Sequence, residues 1–189
     1  MSWNLTRAGT SASSTGNSGG ENARAISEQA RTLIERYGGT VEKFIGDAVM
    51  ALFGAPTAHE DDPERAVRAA NAVREAVARP AKDESPELHV RVGVATGEAV
   101  VAVGARRAVG EAMAHGDVVN TAARLEAGAP VDGILVDERT YRATRFQIDF
   151  RPAPPLHAKG KTKAISVWEV MAPRGHPGTD RFHHARALV

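Results

Sequence analysis

The chain has 189 residues, 42% hydrophobic and 25% charged, with a formal net charge of +1. That length and balance allow one domain with a proper core and an appended tail, and give no electrostatic footprint for nucleic acid or a membrane surface. The absence of cysteine excludes disulfides, zinc–cysteine sites and a thiol nucleophile. With no apolar run near the roughly 20 residues of a membrane helix and no leader pattern, the expectation is a soluble, cytoplasmic protein.

Residues 1–21 are dominated by Ser, Thr, Gly and Asn, almost without exception from Ser11 to Gly20. Such a segment buries too little apolar surface to offset its ordering entropy, so it reads as a flexible arm. The alternation Trp3-Asn4-Leu5-Thr6 is too short to set a strand. A helix is expected from Asn22 to Tyr37, with Ala23, Ile26, Ala30, Leu33, Ile34 and Tyr37 on one face and Gly38-Gly39 as its stop. Thr40 to Phe53 carries two β-rich runs about Gly46-Asp47, a hairpin signature. His59-Glu60-Asp61-Asp62-Pro63 opens a second helix, because acidic residues suit its dipole and Pro63 its first turn. That helix runs to about Ala78.

Further along, Leu88 to Ala95 and Glu98 to Val103 read as strands about a Thr96-Gly97 turn. A helix begins near Gly116-Asp117 and continues to Glu126. Ile134 to Val136, Phe146 to Phe150 and Ile165 to Val170 are expected strands, with a short helix from Glu138 to Thr144. From Pro173 the chain is a polar tail, so the expected divisions are 1–21, 22–172 and 173–189. Helices alternating with hairpins over short connections indicate an α+β fold, a mostly antiparallel sheet covered by helices.

Three stretches, in order and at matching spacing, resemble the class III adenylate/guanylate cyclase domain. They are Gly38 to Gly54, centred on Phe44-Ile45-Gly46-Asp47; Val90 to Glu98, with Gly93 and Thr96-Gly97; and Gly116-Asp117-Val118-Val119-Asn120-Thr121-Ala122-Ala123-Arg124-Leu125-Glu126. The closing Ala158-Lys159-Gly160-Lys161 and Val167-Trp168-Glu169-Val170 are a weaker fourth match. The resemblance implies a ferredoxin-like cyclase palm with its first strand missing.

It also implies an activity, the conversion of ATP (GTP being possible) to the cyclic nucleotide and pyrophosphate, with two Mg²⁺ or Mn²⁺ ions held by two aspartates. Asp47 matches one of these; on the hairpin alone it reads as a turn residue, and the other matches turn the reading to metal binding. Asn120 and Arg124, four apart on one helix face, match the pair that orients the ribose and stabilises charge on the α-phosphate. Lys43 matches the purine-contacting lysine, but Met113 stands where its hydrogen-bonding partner belongs, so either the loop is shifted in register or base selection is loose. Lys159 falls where some members bind the triphosphate, or is part of a solvated basic loop.

No aspartate precedes Asp47, so the first metal ligand is absent and the chain alone is expected to be impaired. It would serve either in a homodimer or heterodimer with an intact cyclase domain, or as a non-catalytic nucleotide-binding or dimerisation module of a larger signalling protein.

Overall fold

The computed structural model describes residues 2–7, 28–45, 48–55, 57–78, 89–101, 114–157 and 164–175. Its main sheet has seven strands in the order β2-β3-β1-β4-β7-β9-β8. These are β1 (Ser2–Arg7), β2 (Thr40–Ile45), β3 (Ala48–Leu52), β4 (Val90–Ala95), β7 (Ile134–Asp137), β8 (Ile148–Leu156) and β9 (Ile165–Pro173). Every pairing is antiparallel except β4 with β7. A parallel pair needs a crossover, and α3 (Asp117–Gly128) supplies it. The α+β expectation of a mostly antiparallel, helix-covered sheet holds.

One expectation is corrected. The first strand is present: β1 lies between β3 and β4, pairing Leu5 with Val49 on one side and with Val92 on the other. Ser2–Arg7 is therefore not part of an unstructured arm. Its sequence carries little strand signal because the slot is set by two neighbours far along the chain, and pairing on both edges overrides weak propensity.

Helix α1, over residues 28–36, closes as the glycine pair predicts. Gly38 has φ +79°, its N–H donates to the Glu35 carbonyl, and the Gly39 N–H donates to the Ile34 carbonyl, both at 2.9 Å. This paired closure satisfies carbonyls that the helix end leaves open. Residues 22–27 of the expected helix lie outside the described residues. Helix α2 (Asp62–Val77) starts at the acidic turn with Pro63 in its first positions, and buries Ala66, Val67, Ala69, Ala70 and Val73. These pack with Ile34, Phe53, Val92, Val94, Ile134 and Val136 into the larger core on one face of the sheet. Helix α4 (Glu138–Thr144) closes the far end of that face, where Tyr141 stacks on Trp168 at 4.4 Å and meets Phe150 edge-on at 5.3 Å.

The opposite face is covered by α3 over Ala95, Leu135 and Val167. Of the expected strand Glu98 to Val103, residues 98–101 are described, and they do not extend the main sheet. Val100–Val101 (β5) pairs with Ala114–His115 (β6) in a separate two-stranded sheet. The β8–β9 hairpin is longer than its apolar stretches suggested, because β8 is an outer strand. Pro152, Pro154 and Pro155, tolerated only where ladder donors are dispensable, extend it while blunting the free edge.

The start of α2 is fixed by a buried ion pair. Asp62, 2% exposed, accepts from the His59 backbone N–H at 2.7 Å and from the Arg65 guanidinium. Arg65 also reaches the Tyr37 carbonyl at 3.3 Å, tying α2 to the end of α1. Asp62→Ala would strand that cation and should cost about 3 kcal/mol, read as a lower denaturant midpoint with an unchanged slope. Deleting residues 1–7 exposes the facing edges of β3 and β4, and the expected result is loss of the cooperative thermal transition followed by circular dichroism.

Candidate active site

Helix α3 presents the residues of most chemical interest, and a glycine determines where it sits. A Cβ built on Gly93 in β4 would lie 2.2 Å from the Ala122 carbonyl oxygen, 2.4 Å from the Glu126 nitrogen and 2.9 Å from the Leu125 Cβ. The helix backbone therefore rests directly on the strand, a distance only glycine permits. Val118, Ala122 and Leu125 fill the underside. Asn120 is exposed and Arg124 half-buried on the outer side, one helical turn apart, about 6 Å along the axis. The N-terminal end of α3 is set by Gly116 at φ +151° and by the Thr121 hydroxyl, which donates to the Asp117 carbonyl at 2.8 Å.

The β2–β3 hairpin lies beside this helix. Ile45 pairs with Ala48, so the connection is the two residues Gly46-Asp47 expected from the sequence. Asp47 itself lies outside the described residues, as do Met113 and Lys159. Lys43 pairs through its backbone with Met50 just after a register shift between Val41 and Lys43; its side chain is not described. Met50 and Leu52 form a small buried cluster on which Val119 packs, next to Asn120 in sequence. The structure thus joins the hairpin that carries Lys43 to the first turns of α3, and places Asn120 and Arg124 on one side of that helix.

The carboxyl-terminal ends of the parallel strands β4 and β7 hold a polar network that sequence reasoning missed. Asp137 caps α4, accepting from the Thr140 N–H at 3.1 Å and the Thr140 hydroxyl at 2.6 Å, and it also accepts from the Thr96 N–H at 3.2 Å. Thr96 and Thr140 share a further hydroxyl–hydroxyl bond of 2.8 Å. Two open clefts of about 420 and 370 Å³ lie here, both touching Thr96, Gly97, Glu98 and Arg139. The Asp-x-x-Thr spacing at 137–140 was the available signal.

A pair of divalent ions does not fit the donors found among the described residues. Among the described residues no group of three His, Cys, Asp or Glu could hold a metal. The strand β1, alongside the β2–β3 hairpin, reads Ser-Trp-Asn-Leu-Thr-Arg and supplies no carboxylate. No described helix is long and apolar enough to cross a membrane.

Residues 21–170 match the adenylate and guanylate cyclase catalytic domain. The chain belongs to that family. Over 147 residues it is 35% identical to adenylate cyclase 1 of Rhizobium meliloti (strain 1021), covering 74% of this chain and 22% of that protein. The chain thus spans about a fifth of the length of that relative. The adenylyl cyclase CyaB from P. aeruginosa superposes with a TM-score of 0.80 at 25% identity, over 92% of this chain and 93% of that one. The catalytic core of a rhodopsin-guanylyl cyclase with converted specificity, in complex with ATPalphaS, gives 0.79 at 22% identity, over 92% and 94%; at that identity the likeness shows the fold alone. The palm expected from the motifs is thereby shown, with β1 restored to it.

Because α3 has no slack over β4, Gly93→Ala should push the helix outward. The expected cost is about 2–3 kcal/mol in a denaturant melt, with larger residues worse.

Proposed function

We propose that this chain is a nucleotide cyclase domain of the adenylate cyclase type that contributes one half of a dimeric site. Its partner would be an intact cyclase domain, or a second copy with correspondingly feeble turnover. The observation that carries this reading is the pairing of an outward Asn120 and Arg124 on a rigidly seated α3 with a β1 that bears no carboxylate. The chain keeps the groups that address ribose and α-phosphate while lacking a ligand the family uses for its Mg²⁺ or Mn²⁺ ions.

In the reaction, the ribose 3′-hydroxyl gives up its proton to solvent as its oxygen forms a bond to the α-phosphorus, the bond from that phosphorus to the bridging oxygen breaks, and pyrophosphate leaves with the electron pair. Asn120 holds the ribose so that its 3′-oxygen faces the phosphorus, using both the donor and acceptor of its amide. Arg124, planar and permanently charged, neutralises the oxygens of the α-phosphate as charge accumulates there. Lys43 addresses the purine. With Met113 in place of a polar partner, discrimination between ATP and GTP rests on fewer hydrogen bonds. The carboxylates that hold metal are left to the partner, and Lys159 is assigned to the triphosphate. The setting that fits is intracellular, cytoplasmic signalling within a longer protein.

The absent carboxylate favours one other reading, a non-catalytic nucleotide-binding or dimerisation module, and one experiment separates the two. This chain is mixed with an intact cyclase domain whose own asparagine–arginine pair has been disabled, and cyclic AMP formation from ATP is assayed with Mn²⁺. Cyclic AMP above the level of either chain alone is expected, falling about 100-fold or more with Arg124→Ala. No gain in a mixture shown to contain heterodimers would sink the catalytic reading and leave the module.

A further inference from the structure

We infer that the crevice at the carboxyl-terminal ends of β4 and β7 binds a small zwitterion, an α-amino acid with an apolar side chain. Arg139 receives its carboxylate and Glu98 its ammonium group. The inference stands on the topology and on the lining of the two clefts, and it is independent of the cyclase-type reading.

Topology opens the crevice. Strands β4 and β7 are the parallel pair, and the chain leaves their ends towards opposite faces of the sheet. After β4 it passes to α3, which packs over Ala95 and Leu135. After β7 it enters α4, whose Tyr141 packs on the core that holds Val94 and Val136. Connections that diverge in this way leave a gap beyond the strand ends, where parallel pairs bind their ligands. Leu52 lines the larger cleft and closes β3, while Ala48 opens that strand beside the hairpin. At about 3.3 Å per residue the crevice is thus roughly 13 Å along β3 from the hairpin connection.

The charges that line it select the ligand. Arg139 and Glu98 are the charged residues common to both clefts, and both are exposed. Among the described residues neither forms a hydrogen bond or an ion pair, with one another or with any third group. The Arg139 guanidinium reaches back over β4, with one nitrogen 3.6 Å from where a Cβ would stand on Gly97. Neighbouring carboxylates are already engaged: Asp62 by Arg65 and the His59 N–H, Asp137 by Thr96 and Thr140. His59 borders only the larger cleft, with its Nδ1 3.6 Å from Asp62, and Asp117 only the smaller. A plain anion would gain Arg139 and be repelled by Glu98, and a plain cation the reverse. A ligand that carries both charges satisfies both residues. The planar fork of Arg139 takes two carboxylate oxygens at once, and Glu98 accepts from an ammonium group. Leu52, Ala55, Ala99 and Val101 line the rest of the larger cleft, of about 420 Å³, and suit an apolar side chain.

The test is calorimetric titration of L-leucine and of L-phenylalanine into the full chain, with L-leucinamide, N-acetyl-L-leucine and inorganic phosphate as comparisons. At least one of the two amino acids should bind. The amide, which lacks the carboxylate, and the acetyl derivative, which lacks the ammonium group, should each bind about tenfold more weakly or worse. Arg139→Gln and Glu98→Gln should each weaken amino-acid binding by about tenfold or more, and Arg139→Lys, which keeps the charge, by less. Thermal melts check that each variant is folded, and the ligand series on the wild-type chain decides the matter should a variant unfold. No heat from either amino acid at about 20 mM would overturn the inference. So would a derivative or phosphate that binds as tightly as the amino acid, or Arg139→Gln and wild type of equal affinity. No nucleotide or partner domain enters these titrations, so their outcome is separate from that of the heterodimer assay.

Discussion

The contact of α3 with Gly93 sets the spacing for one whole face of the domain. Because no side chain intervenes, the Ala122 carbonyl and the Glu126 amide come down onto β4 itself. The helix then buries Val118, Ala122 and Leu125 against Ala95, Leu135 and Val167, and Val119 reaches the Met50–Leu52 cluster of the hairpin strand. A helix held at its backbone cannot slide or roll by small amounts, since close-packed interiors resist such shifts. Its outer residues, Asn120 and Arg124, inherit that fixity. The precision of the candidate site thus originates beneath the helix rather than in the polar residues themselves.

Polar ties do comparable work on the other face and at its end. The Asp62–Arg65 pair, with its reach to the Tyr37 carbonyl, links three consecutive segments at the start of α2. Arg74 fastens the last turn of α2 to the β9 carbonyls of Val170 and Met171 at 3.2 and 3.0 Å. Asp137 joins the end of β4 to α4 through Thr96 and Thr140. These ties join segments that are separate in the sequence. That is how a short helix such as α4, too short to be stable by itself, becomes part of a fixed frame.

The sheet is complete although its first strand is unlike a strand in composition. Strand β1 fills the slot between β3 and β4 and removes two exposed edges, yet its sequence, Ser-Trp-Asn-Leu-Thr-Arg, carries no carboxylate. Architecture and chemistry are separable here: backbone pairing satisfies the fold, while the side-chain complement decides whether the site can hold metal. Membership of the cyclase family therefore carries the palm with it and leaves the division of catalytic labour to be settled by the residues of each chain.

Much of the fold was legible in the residues. Gly38-Gly39 marked the end of α1, the acidic turn and Pro63 marked the start of α2, and Gly46-Asp47 marked the hairpin, because these signals act through local backbone geometry. The ordered run of motifs made the family readable, and the spacing of Asn120 and Arg124 made their common helix face readable. The tertiary structure alone decided the rest. Trp3 to Thr6 became a central strand because partners at positions 49–52 and 90–95 were waiting on both sides, an arrangement no local pattern encodes. Gly93 looked like one more strand glycine until α3 was laid across it. Val100–Val101 left the main sheet because its partner, Ala114–His115, lies across a long connection. In each case the deciding interaction joins residues far apart in sequence, where neither periodicity nor turn chemistry carries information.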